Sequence, residues 1–248
     1  MPCDLTSFDL AETLRTGREI RRVCGEARTL EEAAQGMCRS LYDSLTEGDG
    51  ARRASVLVRC YKTHAFGDLP APLQSFVQTS SPNAAELTDA TKCLVLLGTA
   101  GEESAWGSRL TSRNHQAIAL SSVRVVEQAP MIARLFTDLG VELDNLVEPA
   151  APRPQSIRPK TYGVFFIDDA NGNPSIPAQD FVRQYGVRSV IGCGGELPRG
   201  EMFASILFTR VAVDRSVAER FRTLALDMKA SFFRFGPDET FSGAGPTG

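Results

Sequence analysis

The chain has 248 residues, 42% of them apolar and 23% charged, with a formal net charge of −3. This is the composition of an ordinary globular protein with enough apolar material for a sizeable core, and it offers no basic footprint for a nucleic-acid partner. No apolar run reaches the roughly 18 residues of a membrane span, and the N-terminus lacks the charged and apolar regions of a secretory signal, so a cytoplasmic location with no membrane partner is expected.

The six cysteines, Cys3, Cys24, Cys38, Cys60, Cys93 and Cys193, are scattered and form no Cys-x-x-Cys pair. In a cytoplasmic chain that distribution predicts reduced, mostly buried thiols. With only two histidines, His64 and His115, a zinc site would have to recruit cysteines from distant segments, so no metal is assigned. No motif assigns a cofactor.

In chain order, residues 7–24 predict an amphipathic helix with Leu10, Leu14 and Ile20 on its apolar side and Arg15, Arg18, Arg21 and Arg22 opposite. Residues 1–27 are taken as a helical extension ahead of one domain spanning 28–235. Thr29 and Glu32 form a capping-box pattern, followed by Leu30, Ala33, Ala34, Met37, Cys38, Leu41 and Leu45 at helical spacing. Ala54 to Tyr61 then reads as a strand, residues 73–77 as a short helix, and Lys92 to Thr99 as a buried strand.

The segment from Ala100 to Ile118 holds the only tryptophan, Trp106, together with Arg109, Arg113, Asn114 and His115. That is more side-chain chemistry than a connector needs. Val123 to Leu139 predicts a helix that kinks or restarts at Pro130. Residues 148–159 are a proline-rich bridge. Thr161 to Ile167 reads as a strand, 168–174 as a turn cluster and 176–185 as a short helix.

The closing stretch is the most legible. Val187 to Leu197 and Glu201 to Arg210 read as a hairpin joined by Pro198-Arg199-Gly200. Asp214 then opens a helix with Val217, Phe221, Leu224, Ala225, Met228 and Phe232 on one face. After Gly236 the chain is rich in Gly, Pro, Ser and Thr, and 236–248 is expected to be a disordered tail.

The strand Val-Arg-Ser-Val-Ile-Gly, the hairpin, the strand Phe-Ala-Ser-Ile-Leu-Phe and a helix with Phe-x-x-Leu-Ala together resemble the C-terminal third of GAF domains, which are small-ligand sensory modules. The resemblance implies an α+β fold, a central antiparallel sheet with helices on its faces. It also implies a small-molecule ligand, a possible signalling partner and a possible homodimer through the N- and C-terminal helices. A pocket needs apolar walls and a few convergent polar groups. Trp106, Arg113 and His115 facing Tyr162, Phe165, Gln179 and Tyr185 would supply both. Cys193 joins this set because the glycines around it mark a close approach.

Each residue also has a plainer explanation, with Trp106 as a core anchor and His115 as a hydrogen-bonded loop residue. Two other functions stay open: a thiol-dependent reductase of the free methionine sulfoxide type, and an interaction module without ligand. The Asp168, Asp169, Asn171 and Asn173 run lacks the downstream glutamate of a calcium loop and reads as a solvated turn.

Overall fold

The computed structural model describes residues 2–48, 50, 52–112, 115–147 and 163–243. In chain order the elements are β1 (Cys3–Asp4), α1 (Leu10–Glu26), α2 (Leu30–Ser44), β2 (Leu45–Glu47), β3 (Arg52–Arg53), β4 (Ser55–Ala65), α3 (Ala71–Ser80) and β5 (Lys92–Gly101). They continue with β6 (Ala117–Ala119), α4 (Val123–Glu127), α5 (Pro130–Asp138), α6 (Leu143–Val147), β7 (Val164–Ile167), α7 (Gln179–Tyr185), β8 (Ser189–Glu196), β9 (Met202–Thr209) and α8 (Arg215–Phe232). The fold is α+β. Six strands form one antiparallel sheet in the order β6-β5-β4-β9-β8-β7, and β1, β2 and β3 form a small separate sheet.

The main sheet is buried on both faces, and strand alternation assigns each residue to one of two cores. Val58, Cys60, Val95, Ile191, Cys193, Phe203 and Leu207 face α1, α2 and α8. Leu57, Tyr61, Leu96, Phe165, Val190, Ala204 and Ile206 face Val126, Ile132, Leu135, Phe136, Leu146 and Val182 of α4 to α7. The helix α2 lies so close to β5 that a Cβ on Gly98 would collide with the Ala34 backbone.

The closing hairpin forms as its apolar pattern dictates, with Glu196 paired to Met202 and Gly200 in the left-handed region at φ 92°. The helix α8 buries Val217, Phe221, Leu224, Ala225, Met228 and Phe232. Asp214 begins it without a side-chain capping bond. Thr29 does cap α2, accepting from Glu32 N at 3.2 Å, while the Glu32 carboxylate reaches back to Arg28 N at 2.8 Å. The apolar run 123–139 restarts at Pro130, which occupies the first turn of α5, where a missing N–H costs nothing.

Three expectations change. The N-terminal helix is not a separate extension: it lies along α8, with the Phe8 and Phe221 rings 5.5 Å apart, an ion pair between Arg21 and Asp227, and Arg234 donating to Gly25 O at 2.9 Å. Its buried side is Thr13, Thr16, Gly17, Ile20 and Cys24, so Leu10 and Leu14 are exposed. Small residues let α1 seat closely on its neighbours, and an apolar-spacing rule scores them as polar. Finally, the segment after Gly236 is placed through Gly243, with Phe241 buried against His64 at a ring separation of 5.3 Å. Glu31 N donates to Thr240 O at 2.9 Å, so this segment covers the N-terminus of α2. The proline-rich bridge and residues 244–248 lie outside the described residues.

Candidate functional site

A single charged side chain interrupts the apolar run Val56-Leu57-Val58-Arg59-Cys60-Tyr61 at the centre of the sheet. Alternation puts Arg59 on the side of Leu57 and Tyr61, facing α4 to α7. The register sets it directly opposite Thr99 on β5 and Ile206 on β9. Directly opposed residues share a face, so the Arg59 and Thr99 side chains leave the sheet on the same side. Arg59 Nη1 donates to Tyr61 Oη at 3.2 Å. Its Nε and the Thr99 Oγ1 are buried and find no partner among the described residues.

The segment between β5 and β6 wraps the sheet edge beside this spot. The β6 pairing covers only residues 93–95 of β5, which leaves the backbone of Thr99 open at the edge. Gln35 closes it from α2, its Nε2 donating to Thr99 O at 2.8 Å and its Oε1 accepting from Thr99 N at 3.1 Å. On the Arg59 side, Trp106 lies over Gly101, where a Cβ would come within 2.7 Å of Trp106 Cε3. The indole packs against Phe181 at 5.8 Å and Tyr185 at 4.9 Å between ring centroids, and Phe181 meets Phe208 edge-on at 5.3 Å. Tyr185 Oη donates to Glu103 Oε1 at 2.9 Å.

The same segment crosses to the helix side. There Arg109 donates to Glu31, Nη2 reaching Oε1 at 2.8 Å and Oε2 at 2.9 Å, and Nε reaching Oε1 at 3.1 Å. His115 follows with an exposed side chain. It is the one non-glycine residue with positive φ, 62°, among the described residues, a conformation that costs an L-residue about 1 kcal/mol. Desolvation by surrounding atoms, and then the charge of Arg59, hold its imidazole below the usual histidine pKa.

Of the expected residues Trp106 and Tyr185 are in contact and His115 belongs to the same loop, while Arg59, Tyr61 and Thr99 stand on the same face of the sheet. Phe165 is fully buried on the same face of the sheet, as core. Two of the expected residues sit elsewhere. Cys193 points into the opposite core, directly across from Val164 and Ser205, because the alternation that turns Gly192 toward Leu135 turns its neighbour away. Gln179 is occupied in bracing the turn before α7: its Oε1 accepts from Gly172 N at 2.8 Å and its Nε2 donates to Ile176 O at 2.8 Å. Arg113 and Tyr162 lie outside the described residues. Arg59 is not among the residues the loop chemistry points to, although an arginine inside an otherwise apolar strand is itself a signal.

The other chemistry considered finds less support. The thiols of Cys3, Cys93 and Cys193 are pushed up to about 12 and that of Cys24 to about 11, in each case chiefly by burial. Burial also raises Cys38 and Cys60. A nucleophilic thiol needs the reverse. Among the described residues no group of three or more His, Cys, Asp or Glu side chains could hold a metal ion. The 168–175 turn satisfies its own groups, Asn171 N donating to Asp169 Oδ1 and Ser175 N to Asn173 Oδ1, both at 3.0 Å. Among the described residues no helix is long and apolar enough to cross a membrane.

No protein-family model and no curated protein matches the chain. Solved structures do. One is the GAF domain of a phosphoenolpyruvate-protein phosphotransferase from Acinetobacter, at 11% identity over 89% of this chain and 92% of that one, with a TM-score of 0.44. Another is the phycoerythrobilin-bound GAF domain of a cyanobacterial phytochrome, at 10% identity over 89% and 94%, with a TM-score of 0.45. A third is CepR2, an N-acylhomoserine lactone-dependent LuxR-family transcription factor from Burkholderia cenocepacia, at 13% identity over 91% and 95%, with a TM-score of 0.44. GAF domains are thus among the folds this chain resembles. The chemistry of its site rests on its own residues.

Proposed function

We propose that this chain is a small-molecule-binding sensory or regulatory domain whose ligand lies on the α4–α7 side of the sheet, beside Arg59 and under the segment between β5 and β6. The observation that carries this is that two directly opposed residues on this face, Arg59 and Thr99, bury polar atoms, Nε and Oγ1, that lack partners among the described residues although the sheet around them is apolar. Buried polar groups are ordinarily satisfied, and two left open on opposed residues call for a partner, which a ligand would supply. Trp106 lies on Gly101 on the same face, the charge of Arg59 reaches His115, and Arg109 of the same segment is tied to α2 on the far face. A ligand that favours one placement of this segment shifts the population of the α2 N-terminus and the chain's C-terminal segment with it. This is a route to a partner protein or a second copy.

Trp106 is the only tryptophan, so its emission reports on this site alone. Titrating a metabolite panel while following Trp106 fluorescence and thermal unfolding tests the reading. A ligand that changes both in the wild type, and no longer shifts unfolding in the Trp106→Phe, His115→Ala double variant, supports it. Ligands that stabilise the variant as much as the wild type would place binding elsewhere.

A further inference from the structure

We infer that the site recognises an oxyanion, a carboxylate or phosphate group on the ligand, through the guanidinium of Arg59. This rests on the binding reading above and names the chemistry of its ligand.

The argument begins with charge. An arginine cannot relieve burial by losing its proton, as a lysine does. A partly buried guanidinium therefore needs a counter-charge close by. Other sheltered arginines of this chain have one: Arg109 has Glu31, Arg210 has Glu102, and Arg134 has Asp138 at 3.5 Å. Lys62, buried on the opposite face of the same strand, has Glu201 at 3.3 Å. Among the described residues, Arg59 has no carboxylate within ion-pairing distance; its one hydrogen bond goes to a neutral phenol.

The donors around it match an oxyanion. The Nε–H of Arg59 is unused, and Tyr61, which accepts from Nη1, keeps its own hydroxyl proton to give. The Thr99 hydroxyl, directly across the strand pair, has no partner. A guanidinium edge with flanking hydroxyls is the arrangement that holds a two-oxygen acceptor with parallel hydrogen bonds. His115 adds a further donor when protonated, and an anion between it and Arg59 would replace their repulsion with attraction.

The test uses the full chain with defined probes: benzoate, phenyl phosphate and inorganic phosphate, with benzamide as the neutral counterpart of benzoate. Thermal unfolding is followed for the wild type, Arg59→Gln and Arg59→Lys. At a hundredfold excess over Kd an oxyanion should raise the wild-type Tm by about 5–10 °C, and benzamide should not. Arg59→Gln should lose that increment while its anion-free Tm stays at or above the wild type, since an unmatched charge has been removed. Arg59→Lys should keep only part of the increment, having charge without the fork. A benzoate signal separates carboxylate from phosphate recognition, and inorganic phosphate shows whether the anion alone suffices. Equal oxyanion stabilisation of wild type and Arg59→Gln overturns the assignment, as does the absence of any oxyanion effect. If benzamide or neutral metabolites stabilise the wild type through Trp106 and His115 without Arg59, the binding site stands and its anionic character falls. If no probe or metabolite acts on either readout, both fail.

Discussion

Arg109 and Glu31 join the loop of the candidate site to the first turn of α2 by a forked ion pair that is almost closed to solvent, the two side chains being 9% and 12% exposed. Glu31 Oε2 also accepts from Ser242 N at 3.1 Å, and the Arg109 guanidinium lies 5.7 Å from the Phe241 ring centroid. One carboxylate therefore holds the loop, the helix and the C-terminal segment together. Removing one partner of such a pair leaves a stranded charge and costs about 3 kcal/mol. Glu31→Gln should lower Tm by on the order of 10 °C and should speed hydrogen exchange at residues 240–243. A loss of stability with no change in that exchange would separate the ion pair from the C-terminal segment.

The thiols supply a second prediction. With all six cysteines buried and the resolved shifts all upward, native protein at pH 7.5 should resist iodoacetamide and label only on unfolding. Mass spectrometry of a timed labelling series decides this. A single thiol that labels within minutes would favour the thiol-dependent reductase over the binding domain.

Much of this architecture was legible in the sequence because apolar spacing carried it. The β8–β9 hairpin and the buried face of α8 were readable residue by residue, since Val217, Phe221, Leu224 and Met228 are large and regularly placed. What periodicity missed was built from small or polar residues. The buried side of α1 is mostly threonine and glycine. Phe241 is one aromatic in a stretch whose composition otherwise indicates disorder, yet it finds a core position beside His64. The site was half legible. Trp106 and His115 stand out by their chemistry, whereas Arg59 sits inside a segment that reads as a strand, and the role proposed for it depends on a cross-strand neighbour that no local pattern supplies. Cys193 was misplaced because strand alternation was not followed through it.

A third prediction concerns acid. His64 is buried with its Nε2 lacking a partner among the described residues, and burial first, then the charge of Lys62, hold its pKa well below the ordinary value of 6.5. Unfolding lets it take up a proton, so its neutral form contributes stability that is complete above about pH 6.5 and is lost as pH falls from there toward its folded value. His115 is shifted the same way. Between pH 6.5 and 5, above the usual carboxylate range, the wild type should lose up to about 1.4 kcal/mol per pH unit for the proton taken up by His64, and less for His115, whose side chain is exposed. Denaturant titrations of His64→Gln should show a shallower slope. An unchanged slope would mean that His64 is protonated in the folded protein.

The close seat of Trp106 on Gly101 gives the last prediction. A methyl at Gly101 would meet Trp106 Cε3 at 2.7 Å and Leu57 Cδ1 at 3.0 Å, both inside ordinary contact distance. The indole packs against both Phe181 and Tyr185, so it cannot retreat without disturbing the packing on α7. Overpacking of this kind costs about 1–3 kcal/mol. Gly101→Ala should therefore lower Tm by several degrees and shift the Trp106 emission toward that of a more exposed indole. Because the loop is displaced at its root, the same substitution should weaken any ligand that wild-type Trp106 fluorescence detects by at least about tenfold, the equivalent of 1.4 kcal/mol. If Gly101→Ala were as stable as wild type, with unchanged emission and unchanged affinity, the tryptophan would not be seated on β5, and the loop geometry on which the site depends would have to be redrawn.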